Sequence, residues 1–128
     1  MELDILLVDD SATVRGLVAR ALRLAGLPLG TVLQAGNGAE ALEVLKTQEV
    51  DVIVTDIHMP EMDGLTLIRH LRADPSFKDL PVIVVSTEGG AERIAEAREL
   101  GISAYLRKPF KPEQVKEAVN SALGVVHE

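Results

Sequence analysis

Apolar residues along the chain follow two alternating rhythms. Five short runs, at 3–8, 31–35, 52–55, 82–85 and 103–107, are rich in Val, Leu, Ile and Thr, and each is followed by a turn and a stretch with helical spacing. The first such stretch places Val14, Leu17, Val18, Ala21, Leu22 and Ala25 on one helical face, and Gly26 ends it. The last repeats that spacing with Val115, Ala118, Val119, Ala122, Leu123 and Val126. It opens on Pro112, where a missing N–H costs nothing. Asn37, with Glu40 three residues on, reads as a capping-box start. Asp63 reads as the cap of a helix carrying Leu65, Ile68 and Leu71. A fourth helix over about 91–100 follows Gly89 and Gly90.

The strand ends fall near residues 9, 35, 56, 86 and 108. A strand of ~5 residues, a helix of ~11 and two short loops need roughly 20–28 residues, so each interval holds one βα unit. The residues after 108 supply a fifth helix. The pattern predicts an α/β fold, a doubly wound (βα)5 unit forming one domain over 1–128, with a parallel sheet covered on both faces. Runs one, three and four are apolar on both faces, as central strands are, whereas Gln34 and Arg107 mark runs two and five as edges. With right-handed crossovers, the order 2-1-3-4-5 of flavodoxin-like sheets satisfies all five.

Composition narrows the function. Only two Phe and one Tyr are present and Trp is absent, so the core is aliphatic. The longest apolar run is four residues, far short of a membrane span. The start Met1-Glu2-Leu3-Asp4 lacks the basic region of a secretory signal. No membrane association and a cytoplasmic location are therefore expected. The absence of cysteine excludes disulfides, thiolate metal sites and a cysteine nucleophile. A net charge of −7 argues against a direct nucleic-acid surface.

The chemistry stands at the carboxyl ends of the predicted strands, where doubly wound sheets bind ligands. Strand one ends in Asp9-Asp10, strand three in Asp56, strand four in Ser86-Thr87 and strand five in Lys108-Pro109. Any one Asp there could simply cap the next helix, but the conjunction is hard to obtain from capping. Two like charges 4 Å apart repel by about 4 kcal/mol at an effective dielectric of 20. A cation must offset that repulsion, and hard oxygen ligands select Mg2+. A carboxylate beside such an ion can attack a phosphoryl group, with a hydroxyl and a lysine taking the remaining oxygens.

These motifs closely resemble those of response-regulator receiver domains, in particular single-domain ones. The matching text is Leu7-Val8-Asp9-Asp10-Ser11, Asn37-Gly38-Ala39-Glu40-Ala41-Leu42, Thr55-Asp56-Ile57-His58-Met59-Pro60-Glu61-Met62-Asp63-Gly64, Val85-Ser86-Thr87-Glu88 and Tyr105-Leu106-Arg107-Lys108-Pro109-Phe110. The resemblance implies that Asp56 accepts a phosphoryl group from a histidine kinase or phosphotransfer protein of a two-component system. It implies that Asp10 and Asp56 ligate Mg2+ directly, with Mn2+ as a substitute, Asp9 acting through water and His58 through its backbone carbonyl. Ser86 and Lys108 would bind phosphoryl oxygens, and Lys108-Pro109 would be a cis peptide. Tyr105 would turn inward when Ser86 moves, and His58 and Glu88 would tune the lifetime of the acyl phosphate. Such a protein is a switch, not a turnover enzyme on an external substrate.

Two other classes fit poorly. A haloacid-dehalogenase phosphatase needs Asp-x-Asp after strand one, but here the acids are adjacent and Ser11 follows. A flavin carrier wants a phosphate loop where Asp9 and Asp10 would repel the phosphate. Within the receiver family three outputs stay open. The first is a protein target docked on the fourth helix, fifth strand and fifth helix. The others are a phosphotransfer intermediate and the receiver part of a longer regulator. The end at Val125-Val126-His127-Glu128, just beyond the fifth helix, favours a stand-alone domain.

Overall fold

The computed structural model describes residues 2–87 and 91–124, so Glu88, Gly89, Gly90 and Val126 lie outside the described residues. Strands and helices alternate as β1 (Leu3–Val8), α1 (Ala12–Leu24), β2 (Leu29–Ala35), α2 (Gly38–Thr47), β3 (Val52–Thr55), α3 (Gly64–Ala73), β4 (Val82–Ser86), α4 (Ala91–Glu99), β5 (Ala104–Arg107) and α5 (Pro112–Ala122). The five strands form one parallel sheet in the order β2-β1-β3-β4-β5, as predicted.

Successive strand side chains point to opposite faces, so each central strand feeds two cores. Leu3, Ile5, Leu7, Val52, Val54, Ile83 and Val85 pack with Val18, Leu22, Val115 and Val119 of α1 and α5. Leu6, Val8, Ile53, Val82 and Val84 pack with Ala41, Leu45, Leu65, Ile68, Leu71 and Ala97 of α2, α3 and α4. One placement differs from the helical pattern. Leu17 falls on the predicted inner face of α1 but is 57% exposed. The covered arc of α1 is narrower than its apolar stripe, being filled by Val18, Ala19, Ala21 and Leu22.

The helix ends follow their local chemistry. Ser11, Asn37 and Asp63 cap α1, α2 and α3 by accepting from the amides of Val14, Glu40 and Thr66. In place of a full capping box, the Asn37 amide group donates to the Glu40 carboxylate at 3.3 Å. Gly26, at φ 77°, lies just beyond α1 in the left-handed region that favours glycine. Strand β2 begins two residues earlier than predicted, because Leu29 pairs with Leu3 across a register irregularity. There the Asp4 carboxylate accepts from the Thr31 amide at 2.8 Å.

Glycine is required where α3 meets β3. The Gly64 amide donates to the Ile57 carbonyl at 2.8 Å, drawing the start of α3 against the end of β3. A Cβ on residue 64 would stand 2.1 Å from the Asp56 carbonyl oxygen, a backbone atom that cannot swing away. Gly64→Ala is therefore expected to lower stability by about 1–3 kcal/mol, the usual cost of overpacking. Urea unfolding of the two proteins measures it, and equal midpoints would mean that the two segments are not in such close contact.

Candidate functional site

Two sheet ladders carry acidic residues to adjacent strand ends. The Asp9 amide donates to the Ala35 carbonyl at 3.1 Å, and the Asp56 amide to the Val8 carbonyl at 2.9 Å. Asp9 and Asp56 thus leave neighbouring strands at the switch point, where the chain runs from β1 to β2 on one side and β3 lies on the other. One carboxylate oxygen from each of Asp9, Asp10 and Asp56 lies within 4.8 Å of the others. Asp9 is buried, Asp56 half-buried and Asp10 exposed.

Lys108 closes this cluster from the far edge of the sheet. Its amide donates to the Ser86 carbonyl at 2.9 Å, which sets it at the end of β5 beside β4. The Lys108–Pro109 peptide is cis. The ammonium bridges Asp9 Oδ2 at 3.0 Å and Asp56 Oδ2 at 3.2 Å. The other oxygens are held by local amides: Ser11 donates to Asp9 Oδ1 at 2.9 Å and Ile57 to Asp56 Oδ1 at 2.6 Å. Burial by itself pulls the Lys108 ammonium down. Its hydrogen bond to Asp9 and the charges of Asp56 and Asp9 outweigh that burial, so it is held above the usual lysine value of 10.5.

The remaining site residues are distributed around this centre. Ser86, the last residue of β4, is fully buried, and Thr87 after it is exposed. Thr55 pairs with Val84, so Ser86 sits two residues beyond that level on the neighbouring strand. Tyr105 lies away from the carboxylates, half-buried in β5 opposite Val84 and against the α2–α4 core. His58 is exposed in the β3–α3 loop. In that loop Glu61 takes φ 64°, a left-handed conformation uncommon for a residue with a side chain. Next to it the Met62 carbonyl accepts from the Gly38 amide at 2.9 Å.

The motifs did not reveal everything that shapes the site. Gly64, one residue of a longer motif, is what lets α3 approach the strand that leads into Asp56. Arg15, absent from the sequence reading, donates to the Asp9 carbonyl at 2.5 Å. Its position four residues after Ser11, at the start of a helix, was the available signal, because helical side chains point back toward the N-terminus.

The raised Lys108 value fixes the sign of a pH effect. Stability contributed by an ammonium held above its unfolded value is fully present below pH 10.5 and is lost as pH rises through the folded value. The stability difference between the wild type and Lys108→Met should therefore hold constant through neutral pH and shrink above pH 10.5. Urea unfolding across that range checks it; a difference that stays constant would dissociate the lysine from the two carboxylates.

Known proteins share this fold. Residues 5–120 match the family profile of the response regulator receiver domain. The chain is 40% identical over 121 residues to a chemotaxis protein CheY homolog of Campylobacter jejuni, covering 94% of this chain and 92% of that protein. The solved chemotaxis response regulator CheY4 of Vibrio cholerae superposes with a TM-score of 0.83 at 32% identity, covering 96% of this chain and all of that one. A putative response regulator from Chloroflexus aurantiacus gives 0.87 at 31% identity, covering 97% and 99%. With profile, sequence and fold in agreement, the chain belongs to the response-regulator receiver family of two-component signalling, as a CheY-like domain.

Proposed function

We propose that this receiver is a phosphorylation-activated switch in which Asp56 is the acceptor. The observation that carries the reading is the Lys108 ammonium shared between Asp9 and Asp56, with the exposed Asp10 carboxylate beside them. An oxygen of the Asp56 carboxylate attacks the phosphorus of a phosphohistidine on a histidine kinase or phosphotransfer protein. The P–N bond breaks, its electron pair returns to the imidazole, and an acyl phosphate forms. Lys108 then pairs with a phosphoryl oxygen, and the Ser86 hydroxyl donates to another.

The donor set fits Mg2+, with Mn2+ as a substitute. One oxygen from each of the three carboxylates lies within 4.8 Å of the others, and anionic oxygens gathered in this way are the hard ligands that Mg2+ takes. As in the receiver family, Asp10 and Asp56 would ligate directly, Asp9 through water and His58 through its carbonyl. When bound, the ion supplies charge neutralisation for the phosphoryl oxygens.

The output follows from which groups must move. Ser86 reaches the phosphoryl group by shifting toward Asp56, and Tyr105 turns into the space left beside β4. The surface of α4, β5 and α5 then changes its affinity for a protein target. Only Ala97 of α4 is buried, so that helix has little packing to resist a shift. His58 and Glu88 flank the path of hydrolytic water and tune the lifetime of the acyl phosphate. We place the switch in the cytoplasm, with a protein target of the chemotaxis type for which its relatives are named. No helix among the described residues is long and apolar enough to cross a membrane.

Two measurements test this reading. Acetyl phosphate with Mg2+ should add one acid-stable, base-labile phosphate, mapped by mass spectrometry to Asp56. Asp56→Asn should abolish it and Asp10→Asn should slow it by about tenfold or more. A phosphate on Ser86 or Thr87 instead would overturn the assignment. Beryllofluoride with Mg2+ should shift backbone amides from Asp56 through α4 and β5, Tyr105 included, while α2 stays quiet. Shifts confined to the neighbours of Asp56 would remove the basis for this output surface.

A further inference from the structure

The aim of Asp10 has an unusual dependence on the backbone. Its carboxylate is exposed, and no protein donor holds it among the described residues. The peptide that joins Asp9 to Asp10 therefore sets where that side chain leaves the backbone. A peptide unit is planar, so fixing its carbonyl oxygen fixes the plane from which Asp10 departs. This carbonyl lies past the last strand pairing, since the β1–β2 register ends at Val8 with Ala35. Its donor is a side chain: Arg15 Nη1 reaches it at 2.5 Å, while Arg15 Nε donates to Gln34 Oε1 on β2 at 2.9 Å. Arg15 starts four residues after Ser11, whose carbonyl accepts its amide at 3.0 Å, so its stem lies on the first turn of α1 and runs back over the loop.

We infer that Arg15 is a positioning residue for the metal site, anchored by Gln34, which holds the Asp9–Asp10 peptide so that the Asp10 carboxylate faces Asp56. The inference rests on the Mg2+ reading above and adds to it a residue that neither binds metal nor touches the phosphoryl group. Its importance rises as the switch is thrown. Before phosphorylation Lys108 also grips Asp9, at 3.0 Å. Once Lys108 turns to the phosphoryl group, the Ser11 amide and Arg15 are the donors left to hold Asp9 in place.

Charge and positioning give opposite signs, which makes the test decisive. Removing a cation near a divalent ion should, by electrostatics alone, tighten Mg2+ binding. Removing a positioning residue should weaken it. Mg2+ is titrated into metal-free protein while the amide shifts of Asp10 and Ile57 are followed. Arg15→Met should raise the Mg2+ dissociation constant by about tenfold, the lower range for outer-shell partners of metal ligands. Gln34→Ala, an uncharged change on an exposed strand edge, should raise it by about threefold, as for one ordinary hydrogen bond. The double variant should bind no more weakly than Arg15→Met, because the two side chains act as one unit. A residue that merely braces the fold would lower the melting temperature in chelator and leave Mg2+ affinity unchanged. Unchanged or tighter binding in Arg15→Met, or unchanged binding in Gln34→Ala, overturns the inference while leaving the site reading intact. A wild type that takes up no Mg2+ at this site overturns both.

Discussion

Three carboxylates converge on one end of a sheet, and the arrangement depends on the single ammonium placed between two of them. Lys108 comes from β5, the edge strand, whereas Asp9 and Asp56 stand on β1 and β3. Its side chain therefore reaches past the end of β4, where the small buried Ser86 terminates the strand. Like charges at this spacing repel by several kcal/mol, so this reach couples the outermost strand to the centre of the sheet. Anything that draws Lys108 away from the carboxylates acts on β5 as well as on the acids.

The packing around the site is uneven in a way that suits a switch. On one side, α1 and α5 bury Val18, Leu22, Val115 and Val119 against β1, β3 and β4. On the other, α3 buries Leu65, Leu67, Ile68 and Leu71. Helix α4 buries Ala97 alone, and its carboxyl end is tied to α3 by polar contacts. Arg72 donates to the carbonyls of Leu100 and Gly101 just beyond α4, as well as to those of Phe77, Lys78 and Leu80. Burial lowers the Arg72 guanidinium from its usual value, partly offset by Asp79. Arg69 pairs with Glu96 across the same two helices. Helix α4 is thus held by directed bonds at one end more than by apolar area along its length. Movement of its other end costs less than movement of α1 or α3 would.

The loop after β3 shows how tightly Asp56 is framed. Gly64 permits the close approach of α3, the Ile57 amide holds one oxygen of Asp56, and Gly38 binds the Met62 carbonyl from the neighbouring loop. Glu61 sits in a left-handed conformation within that frame. Uncommon backbone conformations of this kind persist where the surrounding structure over-determines them. These contacts place the Asp56 carboxylate within 4.8 Å of those of Asp9 and Asp10.

Much of this was legible in the order of residues alone. Short apolar runs marked the strands and a 3.6-residue period marked most of the helices, because burial selects apolar side chains on the faces that those geometries create. Double-sided apolar runs separated the central strands from the edges, and the acids at three strand ends had to meet once the strands were parallel and adjacent. Local chemistry likewise set the caps at Asn37 and Asp63, whereas the Ser11 cap emerged only with the structure. Packing decided the rest. Leu17 is exposed because the neighbouring elements cover less of α1 than its apolar stripe, and β2 extends to Leu29 because of a register shift beside Asp4. The sharing of Lys108 between Asp9 and Asp56 and the grip of Arg15 on the Asp9 carbonyl join residues through space across sheet and helix. Such contacts depend on ångström-scale distances between elements, and a residue pattern encodes which face is buried, not how far apart two buried faces come to rest.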